Sequence, residues 1–304
     1  MKVLASRRFP GPAWDELADV DYLEGPLVEL RPGVDVLATV AEVDAATLDL
    51  LPDLKLVANY GVGYDGIDVA ACQARGVAVT NTPGVLDAAT ADLTFALILT
   101  VRRRVVEGGR YVREGTWGSG WAEPFLLGDE VSGATLGIVG LGRIGQAVAR
   151  RARGFEMRVL YAQRHESEAA ADLGAERRAL DEVLAEADIV TLHVPLTGET
   201  RALIDARRLA LLRDGACLVN TSRGAIVEEP ALVAELVAGR IRAGLDVYAD
   251  EPNVPEELLE LPNAVLTPHI GSATGGTREA MTRVLVDNIL ALERGEPLPN
   301  RVYA

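Results

Sequence analysis

The strongest constraint on the fold is a glycine-rich turn near the middle of the chain, placed between two different apolar patterns. Residues 135–139 form a short apolar, β-branched run, and the turn GLGRIG at 140–145 follows it directly. Apolar residues at helical spacing over 144–152 then give way to a second apolar run at 157–161. This order predicts strand, tight turn, helix and strand, in which the glycines let a dinucleotide pyrophosphate approach a helix N-terminus. We call residues 140–145 the glycine turn.

The rest of the chain alternates short apolar runs with helical patterns, which is typical of parallel sheets flanked by helices. Further strands are predicted at 2–4, 34–37, 54–57, 77–80, 188–192, 216–220, 241–245 and 264–267. Helices are predicted at 87–106, 180–186, 204–211, 228–238 and 273–293. Because the glycine turn lies mid-chain, we expect an α/β protein with two Rossmann-like, doubly wound parallel-sheet lobes, the cofactor lobe being inserted into the substrate lobe. The predicted boundaries give 1–98 plus 275–304 to the substrate lobe and 99–274 to the dinucleotide-binding lobe.

Composition narrows the class of partner. The formal net charge of −15 argues against nucleic acid or an anionic membrane as the main partner. Apolar runs are shorter than a membrane span, and the first ten residues lack the apolar core of a secretory signal, so a cytoplasmic protein is expected. Cys72 and Cys217 lie in unrelated segments without metal-ligand spacing. We therefore expect reduced thiols and no metal site.

Three charged residues follow predicted strands in the second half of the chain. Arg223 comes after the strand at 216–220, Glu251 after that at 241–245, and His269 after that at 264–267. In parallel sheets, ligands bind at the carboxyl ends of the strands. Arginine can grip a carboxylate with two hydrogen bonds, and histidine beside a carboxylate can exchange a proton near neutral pH. The sequence therefore predicts an acid–base site made of these three side chains.

Several features leave two interpretations open. The loop NYGVGYD at 59–65 could hold a carboxylate on its backbone N–H groups or could be a tight surface turn. His193, in a turn before a proline, could touch the cofactor or have a structural part. The glycine-rich segment 108–132, with Trp117 and Trp121, could be an interaction arm or a flexible loop, and the exposed aromatic residues favour the arm.

Taken in order, six motifs resemble the signature series of the D-isomer-specific 2-hydroxyacid dehydrogenases. They are GLGRIG at 140–145, HVPLT at 193–197, NTSRG at 220–224, GLDV at 244–247, EP at 251–252 and TPHIG at 267–271. The resemblance extends over nearly the whole chain. The segment ANYGVGYD at 58–65 is most similar to the branch of glyoxylate and hydroxypyruvate reductases.

This resemblance implies reduction of a small 2-keto acid to the D-2-hydroxy acid. His269 would be the proton donor, Glu251 its partner, and Arg223 the clamp on the substrate carboxylate. The positions implied to bind substrate are Tyr60, Val62, Gly63, Arg223 and His269. Those implied to bind the cofactor are Gly140, Gly142, Arg143, Ile144, Gly145, Gln163, Arg164, His193, Pro195, Thr221, Ser222, Asp246 and Thr90, with Asp246 on the nicotinamide carboxamide. Family members are usually dimers paired through the cofactor lobe, so we expect a homodimer with Trp121 approaching the neighbouring subunit's site.

One departure from the family pattern concerns the choice of cofactor. NAD-preferring members carry an acidic residue where this chain has Gln163, and Arg164 follows. Without the carboxylate a 2′-phosphate is not repelled, and Arg164 can supply a charge-assisted bond worth roughly 1.5–3 kcal/mol. We therefore expect NADP(H) to be preferred by an order of magnitude or more, with NAD(H) possible. The alternative is that Arg164 is a solvated loop residue.

Two other functions fit the same pattern. A D-3-phosphoglycerate or phosphite dehydrogenase would share the fold and the three charged residues. The former would need extra basic residues near the substrate loop, and 55–68 contains only Lys55. A dinucleotide-sensing, corepressor-like interaction protein is the alternative outside the enzymes, and brisk consumption of NADPH with glyoxylate would exclude it.

Overall fold

The computed structural model describes residues 1–118 and 125–303. The strands are β1 (Val3–Ala5), β2 (Val20–Tyr22), β3 (Val36–Thr39), β4 (Leu56–Asn59), β5 (Ala78–Thr80), β6 (Thr135–Val139), β7 (Arg158–Ala162), β8 (Ala175–Arg177), β9 (Ile189–Leu192), β10 (Cys217–Asn220), β11 (Arg242–Leu245) and β12 (Ala264–Leu266). The α-helices are α1 (Ala45–Asp49), α2 (Val69–Ala74), α3 (Asp87–Arg102), α4 (Val105–Arg113), α5 (Arg143–Ala152), α6 (Ala170–Leu173), α7 (Leu180–Glu186), α8 (Ala206–Leu209), α9 (Glu229–Val237), α10 (Glu256–Leu259) and α11 (Gly275–Arg294). Short 3₁₀ turns lie at Pro12–Glu16, Arg153–Phe155 and Gly224–Ile226.

Two parallel sheets organise the described residues, and this confirms the predicted fold class. The first sheet has the strand order β2-β1-β3-β4-β5 and the second β12-β11-β10-β9-β6-β7-β8. Neighbouring strands in both sheets run parallel. In the second sheet the chain order reverses where β6 lies beside β9. The carboxyl ends of these two strands flank the switch point at which doubly wound sheets bind their ligands.

The chain divides into two compact units. The first comprises Met1–Leu86 and the segment from Ser272 onward, and the second is Asp87–Gly271. The sequence analysis placed these divisions after residues 98 and 274. Helix α3 accounts for the larger difference, because its buried residues, such as Phe95 and Ile98, belong to the same apolar core as β6.

Most elements follow directly from local sequence. The ten predicted strands all appear with ends within two residues of the prediction. The strands that were not predicted, β2 and β8, are three residues long and half-exposed edge strands, so they lack an apolar run. Helix α11 begins where the Thr274 side chain accepts a hydrogen bond from the N–H of Thr277 and ends before Gly295, whose φ of 68° is left-handed.

The predicted single helix at 87–106 is wrong in one respect. Helix α3 ends at Arg102, and Arg104 adopts a left-handed φ of 51° before α4 begins. A non-glycine residue in that conformation breaks the run of helical hydrogen bonds. The chain therefore turns sharply between two helices instead of continuing one.

Both cysteines, Cys72 and Cys217, are free and buried. Within residues 1–118 and 125–303, no helix has both the length and the apolar character needed to cross a bilayer. The same residues contain no cluster of three or more histidine, cysteine or carboxylate side chains arranged to hold a metal ion.

Candidate active site

The glycine turn has the geometry that a dinucleotide requires. Gly140 has a φ of 96°, and a Cβ there would lie 2.9 Å from the carbonyl of His193. A Cβ on Gly145 would collide with the carbonyl oxygen of Gly140. Around Gly142, by contrast, a Cβ would meet no protein atom within 4 Å. Gly140 and Gly145 are therefore required by packing, whereas the space at Gly142 is open for a ligand to approach the backbone.

Helix α5 begins directly after this open space. Its N-cap is Gly142, so no side chain caps the N–H groups of the first turn. Arg143 is the first helical residue and is exposed, whereas Ile144 is half-buried. Uncapped N–H groups and the positive end of the helix dipole favour a bound phosphate. These residues fit the pyrophosphate of a nicotinamide dinucleotide.

The residues expected to select the cofactor follow β7. The Gln163 side chain accepts a hydrogen bond from the N–H of Leu141 at 2.9 Å and donates to the carbonyl of His165 at 2.6 Å. Gln163 is thus tied to the glycine turn itself. Arg164 is 79% exposed and pairs with Glu199 at 2.7 Å. Arg177, on β8, donates to the backbone carbonyls of Gln163 and Arg164. A second arginine therefore lies beside the two predicted residues.

Polar residues after β9 and β10 are held by short hydrogen bonds. The Ser222 hydroxyl donates to the carbonyl of Val194 at 2.5 Å, and this bond ties the segment after β10 to the segment after β9. The Thr221 hydroxyl lies 3.0 Å from that of Thr94, which itself donates to the carbonyl of Thr90 on α3. The predicted cofactor residues Thr90, Thr221 and Ser222 therefore belong to one connected group.

His193 and Pro195 lie in the turn after β9. Burial lowers the pKa of His193 to about 3, so its imidazole is neutral. Its Nε2 is buried and has no hydrogen-bond partner in the part of the chain that the structure describes. The backbone carbonyl of Pro195 accepts a hydrogen bond from Thr200 at 2.6 Å. The backbone of His193 packs against Gly140, whereas a contact of its neutral side chain with the cofactor stays a prediction.

His269 and Glu251, which the sequence predicts to act as an acid–base pair, are in hydrogen-bond contact. Nδ1 of His269 lies 2.7 Å from Oε2 of Glu251, and the side chains are 49% and 34% exposed. The other carboxylate oxygen of Glu251 accepts a hydrogen bond from the N–H of Tyr248. Burial acts to raise the pKa of Glu251, but the bond and charge of His269, the Tyr248 N–H and the charge of Arg223 together hold it below its ordinary value. Glu251 is therefore ionised beside the imidazole, and Nε2 is left as the ring nitrogen that can serve a substrate.

Arg223 lies in the turn that follows β10. The side chain of Asn220 accepts a hydrogen bond from the N–H of Ser222 and donates to the carbonyl of Arg223, which fixes that turn. The guanidinium of Arg223 donates to the carbonyl of Ser222 at 2.8 Å. The positive charge of Arg223 is one of the causes that lower the pKa of Glu251. Within the second unit, Glu251 thus interacts with both of the other predicted catalytic residues, through a hydrogen bond with His269 and through the charge of Arg223.

Asp246 is fully buried directly after β11. Its carboxylate accepts hydrogen bonds from the hydroxyl of Thr267 at 2.6 Å and from the N–H groups of Ile270 and Gly271 at 2.8 Å each. Its backbone carbonyl accepts from the N–H of His269, a residue with a left-handed φ of 52°. Burial, outweighing these bonds, raises the pKa of Asp246. Asp246 therefore fixes the backbone around His269, a role that its place in the sequence did not indicate.

The predicted substrate loop lies in the first unit, after β4. Val62 and Gly63 are half-buried. Tyr60 is buried, stacks on Phe9 with ring centres 4.4 Å apart, and donates its hydroxyl to the carbonyl of Arg278 at 2.7 Å. The hydroxyl of Tyr60 is therefore already engaged, and ligand binding by the backbone of Val62 and Gly63 stays a prediction.

Sequence reasoning missed residues that act through other residues. Thr94 and Glu199 each contact a predicted site residue, but neither follows a strand directly or belongs to a quoted motif. Thr267, whose hydroxyl donates to Asp246, follows β12 directly and begins the quoted motif at 267–271, and that position was the available signal. Asn220 lies within the quoted motif at 220–224, and its position as the last residue of β10 was the available signal.

Comparison with known proteins agrees with this geometry. A family model described as "D-isomer specific 2-hydroxyacid dehydrogenase, NAD binding domain" matches residues 95–271. Glyoxylate reductase from Pyrococcus furiosus is 48% identical over 306 residues, which cover 98% of this chain and 90% of that protein. The crystal structure of the TT0316 protein from Thermus thermophilus has a TM-score of 0.91 and 46% identity, with complete coverage of both chains. The NADPH-dependent glyoxylate/hydroxypyruvate reductase from Sinorhizobium meliloti, solved with NADP and malonate, has a TM-score of 0.90 and 36% identity, covering 99% of this chain and 96% of that one.

A glycine turn at a topological switch point, with a histidine–glutamate pair in the same unit, defines a nicotinamide-dependent oxidoreductase. The chain belongs to the D-isomer specific 2-hydroxyacid dehydrogenase family. It is an NAD(P)-dependent 2-hydroxyacid dehydrogenase, that is, a 2-keto acid reductase in the reverse direction.

Proposed function

We propose that this chain reduces small 2-keto acids of the glyoxylate and hydroxypyruvate type to 2-hydroxy acids of D configuration, and that it prefers NADPH to NADH. The observation that carries the proposal is the 2.7 Å pair of His269 and Glu251, with the charge of Arg223 beside it. The substrate class is supported by similarity to the Pyrococcus furiosus glyoxylate reductase and to the Sinorhizobium meliloti reductase.

In this proposal His269 donates a proton from Nε2 to the substrate carbonyl oxygen. Glu251 holds the ring through Nδ1, and its negative charge stabilises the imidazolium form of His269 until the proton is transferred to the substrate. Arg223 binds the substrate carboxylate and stabilises negative charge that develops on the carbonyl oxygen. When bound, the reduced nicotinamide supplies the hydride.

The remaining site residues have binding roles in the proposal. The glycine turn with Arg143 and Ile144 holds the pyrophosphate, and the segments after β9 and β10 line the nicotinamide side. Asp246 holds the backbone of His269 and is proposed to receive the carboxamide as well. Val62 and Gly63 offer N–H groups to the substrate carboxylate, with Tyr60 supporting their loop.

The preference for NADPH is supported by the residues after β7. Gln163 carries no charge that would repel a 2′-phosphate, and its amide is already used by Leu141 and His165. Arg164 and Arg177 are two exposed cations at this point. A 2′-phosphate would compete with Glu199 for Arg164, and phosphate is the stronger acceptor because it carries more charge.

We further propose a homodimer in the cytoplasm, where thiols such as Cys72 and Cys217 stay reduced. The segment after α3 exposes large apolar side chains at Val105, Val112 and Trp117. An exposed apolar surface of this kind is typical of an interface. Trp121, predicted to approach a neighbouring subunit, lies outside the described residues. Sedimentation equilibrium would give twice the chain mass of 32.3 kDa if the proposal holds, and a monomer mass would contradict it.

A substrate panel tests the proposed reaction. Glyoxylate, hydroxypyruvate and a phosphorylated 2-keto acid are each assayed with NADPH and with NADH. We expect turnover of the two small acids, with a kcat/KM at least tenfold higher with NADPH than with NADH. His269→Ala should lose roughly 10²–10⁴-fold in kcat while its cofactor binding stays unchanged. Full activity in His269→Ala, or turnover of the phosphorylated acid alone, would contradict the proposal.

A further inference from the structure

Asn59 is the last residue of β4, and Asn81 directly follows β5, the neighbouring strand of the first sheet. Strands β4 and β5 are parallel, and Ala58 pairs with Thr80 in their register. The next residues along each strand direction are Asn59 and Asn81. Asn59 is 7% exposed, and Asn81 is half-buried. Their side-chain amides therefore lie side by side under the loop that follows β4.

These amides hold three consecutive backbone carbonyls of the loop. Nδ2 of Asn59 donates to the carbonyl of Gly61 at 3.1 Å and to that of Gly63 at 2.8 Å. Nδ2 of Asn81 donates to the carbonyl of Val62 at 2.8 Å. The carbonyl of Gly61 also accepts from the N–H of Thr82 at 2.9 Å. Each carbonyl in this short run is thus turned towards the strand ends.

The direction of the carbonyls decides the direction of the N–H groups. A trans peptide unit points its N–H opposite to its C=O. The N–H of Val62 shares a peptide unit with the carbonyl of Gly61, and the N–H of Gly63 shares one with the carbonyl of Val62. Within the described residues, neither N–H donates to a protein acceptor. The two donors therefore face away from the amides and are left for a ligand.

We propose that Asn59 and Asn81 are positioning residues that preorganise the loop to receive the carboxylate of the 2-keto acid. This inference rests on the proposed function. Asparagine is suited to the task because its NH₂ group can donate two bonds at once, whereas an aspartate would bring a negative charge against carbonyl oxygens. Holding the donors in place before the substrate arrives removes the cost of ordering the loop on binding.

We expect the two asparagines to affect substrate binding more than the rate of the chemical step. The carboxylate of the substrate does not change during reduction, so its interactions with the loop are equal in the ground state and in the transition state. Loss of such uniform binding raises KM and leaves kcat nearly unchanged. The role of the asparagines should also be confined to substrates that carry a carboxylate.

The test compares Asn59→Ala and Asn81→Ala with Asn263→Ala. Asn263 is a matched control, because its Nδ2 also donates to two carbonyls, those of Leu236 and Ile241, at 2.9 Å each. It lies before β12, in the second unit. The assays are KM and kcat for glyoxylate, kcat/KM for glycolaldehyde, which lacks the carboxylate, the Kd of NADPH, and the unfolding midpoint.

We expect Asn59→Ala to raise the KM for glyoxylate on the order of tenfold, from the loss of two hydrogen bonds. Its kcat, its NADPH Kd and its kcat/KM for glycolaldehyde should stay within about threefold of wild type. Asn81→Ala should raise the KM for glyoxylate by a smaller factor. Because Asn81 is half-buried, this variant should cost less stability, so it tests the inference if Asn59→Ala does not fold. Asn263→Ala should lower the unfolding midpoint without raising KM.

Unchanged KM values in both loop variants, or an equal rise in Asn263→Ala, would overturn the inference while leaving the proposed function standing. Equal losses with glyoxylate and glycolaldehyde would overturn it as well. If the wild-type protein reduces neither glyoxylate nor hydroxypyruvate, the proposed function itself fails.

Discussion

Replacing Glu251 by glutamine tests the centre of the proposed mechanism. The change keeps the shape of the side chain and removes its charge, so Oε1 or Nε2 of the new amide still meets Nδ1 of His269. The wild-type contact is 2.7 Å long between partly exposed groups. Any loss of rate then reports the charge that Glu251 supplies to the imidazolium.

The size of the loss follows from the kind of hydrogen bond. A bond to a charged group contributes about 1.5–3 kcal/mol and a neutral one about 0.5–1.5 kcal/mol. Because the pair is partly exposed, we take the difference as about 1–2 kcal/mol. At about 1.36 kcal/mol per tenfold change, kcat for glyoxylate should fall roughly 5- to 30-fold.

The assay is steady-state oxidation of NADPH with saturating glyoxylate, which gives kcat, alongside the Kd of NADPH. Glu229→Gln is the matched control, because Glu229 also accepts a hydrogen bond in this region, from the N–H of Ala249 at 2.9 Å. It should retain kcat within about twofold, since the glutamine oxygen can still accept this hydrogen bond and Glu229 is not among the proposed site residues. A wild-type rate for Glu251→Gln, or an equal loss for Glu229→Gln, would refute the reasoning.

The same variant, Glu251→Gln, should also differ from wild type in how its stability depends on pH in the acidic range. The pKa of Glu251 is held below its ordinary value of 4.5 in the folded protein. Its ionised form therefore stabilises the fold above pH 4.5, and this contribution is lost as the pH falls through the lowered pKa. Glu251→Gln has no such group, so the stability difference between wild type and variant in urea should shrink on acidification. A difference that stays constant or grows as the pH falls would contradict the lowered pKa of Glu251.

Two further predictions concern the cofactor. Gly142→Ala should fold with nearly wild-type stability but weaken NADPH binding, because its methyl group enters the open space proposed for the pyrophosphate. Gly145→Ala should lower the unfolding midpoint, because its methyl group collides with the carbonyl of Gly140. Equal losses of stability in the two variants would contradict this prediction. Glu199→Gln should lower the Kd of NADPH about two- to fivefold, because it frees Arg164 from an exposed ion pair. The Kd of NADH should stay unchanged in the same fluorescence titrations. Equal effects on both cofactors would argue against contact between Arg164 and the 2′-phosphate.

Local features of the chain were predictable because their causes are local. Apolar runs of four or five residues mark buried strands, and a glycine that must adopt a left-handed φ, such as Gly140 or Gly295, marks a turn or a helix end. The edge strands β2 and β8 escaped prediction because exposed residues carry no apolar pattern. The break at Arg104 escaped because nothing in its neighbours excludes a helix.

The sequence by itself determined that a dinucleotide turn is followed by an arginine, a glutamate and a histidine at successive strand ends. Only the tertiary structure decided which atoms meet: Glu251 on Nδ1 of His269, Asp246 on the N–H groups of Ile270 and Gly271, and Asn59 on two loop carbonyls. The physical reason is range. Turn and strand preferences act between near neighbours in the chain, whereas these hydrogen bonds depend on strand order and register, which bring distant segments to the same level of a sheet.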